Sequence, residues 1–123
     1  MDAKQAEAEH IRKLAGGRPT AERRKLLTLA LSSKWEGSQA LAVKALAAGG
    51  DRESIEAIRD YLIAAFEREY GWAVRGVAIR ALAGIVGPED ADWIAALHRS
   101  RTNGLERHEL RPLLDTLPAL GTE

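Results

Sequence analysis

Three histidines, His10, His98 and His108, are the side chains best suited to ligate a metal or move a proton near neutral pH. They fall on three different predicted helices. None stands in a His/carboxylate pair whose surroundings complete a helical metal site. His108-Glu109 begins like the helical motif of zinc proteases, which needs a second histidine four residues after the first. Pro112 occupies that place. The histidines therefore read as surface residues. Glu67 and Glu69 flank Arg68 at a solvated helix end, and nothing around them supports a general acid/base pair. The chain has no Gly-x-Ser-x-Gly elbow, phosphate loop or dinucleotide fingerprint. Gly16-Gly17 and Gly49-Gly50 follow predicted helices rather than strands, so they stop helices and do not cradle phosphates. The expectation is a protein that is not an enzyme and uses no cofactor and no metal.

The bulk properties exclude further classes. The chain has 123 residues, enough for one compact domain that folds without staples. Lys and Arg number 18 against 18 Asp and Glu, which lacks the basic excess of a dedicated nucleic-acid binder. There are no cysteines, which removes disulfides, cysteine-ligated zinc and thiol catalysis. No uncharged run much exceeds about eight residues, and a membrane span needs ~20. The start, Met1-Asp2-Ala3-Lys4-Gln5, has no apolar signal core. A soluble, cytoplasmic chain with no membrane partner is expected.

Alanine and leucine dominate, and both favour helix. A first helix over about 2–15 carries thin apolar content, Ala6, Ile11, Leu14 and Ala15, and suits a terminal cap. Thr20 is a predicted N-cap for a helix over about 21–33, where Leu26, Leu27, Leu29 and Leu31 predict burial on more than one side. A third helix runs from about Trp35 to Ala48, ended by a left-handed cap at Gly49-Gly50. Asp51 caps a fourth over about 52–69, striped by Ile55, Ile58, Leu62 and Phe66. A fifth over about 72–86 turns Val74, Ala78, Ala81, Leu82 and Ile85 inward. Gly87-Pro88 starts the sixth, in which Trp93 joins Ile94 and Leu97 in the core. Asn103 and Glu106 resemble a capping box for the last helix, which Pro112 kinks or splits in two.

Ala42-Val43-Lys44-Ala45-Leu46-Ala47 matches Ala78-Ile79-Arg80-Ala81-Leu82-Ala83 at a spacing of 36 residues. Ile58 maps onto Ile94 at the same spacing. A weaker third copy pairs Ala81-Leu82 and Ile85 with Leu113-Leu114 and Leu117. The run from Val74-Arg75 through Ala78, Ala81-Leu82 and Ile85 resembles the second helix of a HEAT repeat, in the short form found in phycobilin lyases. Gly87-Pro88-Glu89-Asp90-Ala91 resembles that family's inter-repeat turn. The likeness covers about residues 51–98 well and 34–50 fairly, and it is weak at both ends. Ala83 stands where the family usually has Gly, and Ser38-Gln39 replaces the Val-Arg pair in the earlier copy. The resemblance implies an all-α chain: a short right-handed α-solenoid of about three HEAT-like helix pairs plus an N-terminal capping helix. The single domain, 1–123, would divide into a cap at about 2–15 and pairs at about 20–49, 51–86 and 88–120. It does not imply bilin chemistry.

In such stacks the second helix of each pair lines a concave face. The resemblance thus makes Trp35, Gln39, Lys44, Trp72, Arg75, Gly76, Ile79 and Arg80 candidate contacts for a protein partner. Tryptophans bury large area at small entropic loss and recur in interface centres; Trp35 and Trp72 can equally be wedges between repeats. The expected role is a protein–protein interaction module, an adaptor, inhibitor or immunity-type protein. The alternative is nucleic-acid binding through a Lys44, Arg75 and Arg80 stripe. The plain alternative for that stripe is a solvated face with internal ion pairs. The leucine-rich end, Leu113 to Leu120, offers a possible surface for a homodimer.

Overall fold

A computed structural model describes residues 2–68 and 72–120, with the side chains of Trp72 and Leu120 left aside. Every regular element among them is helical. In order they are α1 (Ala3–Ala15), α2 (Ala21–Ala30), α3 (Glu36–Gly49), α4 (Arg52–Phe66), α5 (Trp72–Ala83), α6 (Ala91–Ser100), α7 (Gly104–Glu109) and α8 (Arg111–Leu114). Short 3-10 turns at Pro88–Asp90 and Pro118–Leu120 complete the list.

Local chemistry sets the helix starts. The first turn of a helix leaves backbone N–H groups without partners, and a short polar side chain can accept from one. Asp2 accepts from the Gln5 amide, Thr20 from Arg23, Asp51 from Ser54 and Asn103 from Leu105. The Asp51 carboxyl is held below its ordinary pKa, first by its Ser54 hydrogen bonds and then by Arg24, against a smaller opposing effect of burial. Gly50 ends α3 with φ 64°, the one positive φ among the described residues and a backbone that side-chain-bearing residues avoid.

The two caps expected at Thr20 and Asp51 are as the sequence reads them. The capping box at Asn103 is half made: Asn103 caps, while Glu106 lies 3.5 Å from Arg101. Pro112 does split the last helix. It falls in the first turn of α8, where its missing N–H costs nothing, and Leu110 ends α7 just before it.

The helices pack in a regular order. α3 lies against α1, α2, α4 and α5. α5 lies against α3, α4 and α8, and α6 against α8. One apolar cluster runs through these contacts from Ile11 of α1 to Leu113 of α8. Crowding on several sides explains why α3 buries Ala42, Val43, Ala45 and Leu46 together. The α4 stripe, Ile55, Ile58, Leu62 and Phe66, is buried as its spacing predicts. Trp93 packs against the core.

α2 departs from expectation. Only its inner side meets other helices, so Leu27 and Leu31 are buried while Leu29 is 65% exposed and Leu26 38%. At the C-terminal end Leu113 is buried and Leu114 and Leu117 pack against the core.

Ion pairs join successive parts of the chain. Arg24 meets Asp51 and Glu53. Arg52 grips Asp90 in a two-pronged contact at 2.9 and 2.7 Å, with Glu89 3.3 Å away. Asp90 is 1% exposed and also accepts from the Gly87 amide and the Trp93 indole N–H. A carboxylate with four donors, fixed against a planar guanidinium, is well satisfied despite its burial.

Candidate functional site

Seven of the eight residues proposed from sequence separate into three groups. Two of them lie inside. Ile79 is 1% exposed and belongs to the core, a correction to its place among the contacts. α5 is covered by α3, α4 and α8, so residues on more than one of its sides are buried. Arg75 is 8% exposed, and it too is removed from the contact surface. Its Nε and Nη2 donate to the two Glu109 oxygens at 2.9 and 3.0 Å, and its guanidinium lies 5.1 Å from the Phe66 ring centre. The Glu109 hydrogen bonds raise its pKa further above the ordinary arginine value, against the effect of burial. That charge is engaged within the fold by Glu109.

A second group surrounds the link between α2 and α3. Trp35 is half-buried and precedes α3 as its N-cap residue, and the Lys34 ammonium sits 4.7 Å from its ring centre. Gln39 donates to the Ser33 carbonyl and accepts from the Tyr61 hydroxyl at 2.6 Å. Both ends of its amide are thus used within the fold, tying the link to α4. Ser33, Lys34, Gln39 and Tyr61 share a cleft with Ser32, Glu36, Ala65 and Arg68.

Burial is the main reason that the Tyr61 hydroxyl titrates at about 12, with Glu36 adding to the rise and Arg68 opposing it. The sign follows directly. The unfolded chain loses this proton near pH 10 and the folded chain near 12, so the stabilisation is complete below 10 and lost between 10 and 12. Tyrosinate absorbance should show one late step near pH 12, absent from Tyr61→Phe, and the variant's stability should fall less steeply across that window. A Tyr61 titration at the ordinary value would contradict the buried placement.

The third group faces outward. Lys44 and Arg80 are exposed, and Gly76 is partly so. The Arg80 guanidinium lies along α5 over Gly76, where an added Cβ would stand 3.4 Å from Nη1. Lys44 lines a groove of about 820 Å³ between α1 and α3. Its floor is low, made by Ala8, Gly37, Ala40 and Leu41, and its rim carries Asp2, Lys4, Glu9, Arg12 and Lys44. Arg12 was missed by sequence reasoning. Its signal in the sequence is its spacing, 32 residues before Lys44 and within the range of repeat spacings, but α1 shares few residue types with the repeat.

Trp72 opens α5, and its side chain lies outside the described residues. Among the described residues no three His, Asp or Glu side chains converge on a point that could hold a metal. No described helix is long and apolar enough to cross a membrane. No protein-family model, curated protein or solved structure matches this chain.

Proposed function

We propose that the chain is a non-enzymatic protein-binding module built as a short HEAT-like α-solenoid. In this reading α2 with α3, α4 with α5, and α6 with α7 and α8 are the three helix pairs, and α1 is the cap. The succession of contacts α1 to α3, α3 to α5 and α5 to α8 supports it, since stacked pairs place their second helices side by side. The binding surface is the outward strip of α1, α3 and α5. One observation carries that assignment. Arg12, Lys44 and Arg80 are exposed there, each directly after a buried Ile or Val on helices that pack in succession, and they make no ion pair with any described residue. A rigid helical surface loses little entropy on docking, which suits partner recognition.

The test is affinity capture from the native host's lysate at moderate salt. Wild type would be run beside Lys44→Glu/Arg80→Glu, whose helicity is first matched by circular dichroism. A protein retained by the wild type and lost from the double variant is the expected result. Equal capture by both would remove this surface from the function. Capture of nucleic acid alone, lost as salt rises, would transfer it to the nucleic-acid reading.

A further inference from the structure

Arg12, Lys44 and Arg80 share one register on three successive stacked helices, and this sets them apart from the other exposed cations. Each directly follows a buried β-branched residue: Ile11 before Arg12, Val43 before Lys44, and Ile79 before Arg80, with exposures of 1%, 0% and 1%. Each is followed two residues later by a leucine, Leu46 and Leu82 of the buried core and Leu14 packed against it. Since α1 packs on α3 and α3 on α5, matching registers set the cations in a row across the helices rather than along one. Arg12 and Lys44 do line the same groove.

The spacing of such a row follows from helix packing. Neighbouring helices lie about 8–10 Å apart, so the positive charges recur at about that interval. A helix rises 1.5 Å per residue, and seven residues, close to two full turns, advance about 10.5 Å on one face. Carboxylates seven residues apart on a helix laid across the strip would therefore meet successive cations. The surface permits the approach. Gly37 has no neighbouring atom within 4 Å of where a Cβ would stand, and Ala8 and Ala40 line the groove with small side chains. Asp2 and Glu9 lie on the same rim. They repel an unbroken run of phosphates and favour a ligand whose acids are spaced.

Building on the protein-binding reading above, we propose that this strip takes an acidic helix of a partner protein, with carboxylates two turns apart facing Arg12, Lys44 and Arg80. The contact is electrostatic at its edges, so association should be fast and weaken as ionic strength rises.

A defined probe tests this without knowing the partner. Alanine-based helical peptides of 21 residues, with Glu, Lys, Leu or Ala allowed at each surface position, are displayed on phage and selected at low salt. The targets are the intact chain and its Arg12→Gln/Lys44→Gln/Arg80→Gln variant, whose folding is checked by circular dichroism and thermal melting. Each single Gln variant is kept in reserve should the triple one misfold. Enrichment of acids seven residues apart on the wild type alone is expected. The best peptide should bind the triple variant at least tenfold more weakly. Enrichment of lysine, of acids with no preferred spacing, or of the same peptides on both targets would overturn the proposal. So would duplex DNA that displaces the best peptide more effectively than the peptide itself does. If selection fails while the lysate capture above retains a protein through Lys44 and Arg80, the acidic helix falls and the module reading stands. Failure of both removes both.

Discussion

Asp90→Ala should destabilise the fold by about 1–3 kcal/mol, the range for leaving buried hydrogen-bond donors without their acceptor. The carboxylate is 1% exposed and holds Arg52, the Gly87 amide and the Trp93 indole N–H at once. Its removal leaves the last two, on half-buried residues, without their acceptor. Arg52 has 37% of its side chain exposed and can rehydrate, so the cost arises mainly around Trp93 and Gly87. Total stability for a domain of this size is about 5–15 kcal/mol, so the loss is a large share of it. Asp90→Asn keeps one acceptor and should fall between the variant and the wild type. Urea unfolding with matched slopes would measure both. A loss under about 1 kcal/mol for the alanine variant would mean that the network contributes little.

Glu109→Ala should cost about 3 kcal/mol, because it strands a guanidinium whose side chain is 10% exposed. Phe66 still lies against Arg75, and that attraction offsets only part of the loss. The reverse deletion, Arg75→Ala, should cost less, since Glu109 has 27% of its side chain exposed and can turn to water. Replacing both by leucine should recover most of the stability, as apolar substitutes for buried ion pairs often do. A double-mutant cycle by chemical denaturation separates these terms. Equal losses for the two single alanine variants, with no recovery in the double leucine chain, would show that local packing and not a stranded charge governs the site.

These two sites also mark where the sequence stops being informative. What rests on neighbours a few residues away was legible. Thr20 and Asp51 cap because their side chains reach the amide three residues on, and Ile55, Ile58, Leu62 and Phe66 share a face because the helix period puts them there. The placement of Arg75 was not legible, for its partner stands 34 residues later on another helix. Arg52 and Asp90 are 38 apart. Ile79 was misplaced for a related reason. Helical periodicity shows an apolar face but not how many neighbours cover the helix, and α5 has three. The same limit hid the exposure of Leu29, which looked like a core leucine and has no helix over it. For the candidate surface, Lys44 and Arg80 were found by their shared place in the repeat. Arg12 was not, because α1 shares burial positions with its successors more than it shares residues.

The order of contacts carries a kinetic consequence. The main contacts join elements that are close in the chain: α1 to α3, α3 to α5, α5 to α8. The ion pairs between elements span 27 to 38 residues. Closing loops of this size costs modest entropy, and each closure supports the next. Chains organised in this way reach the native state in microseconds to milliseconds, well ahead of sheet proteins that must first bring distant strands together.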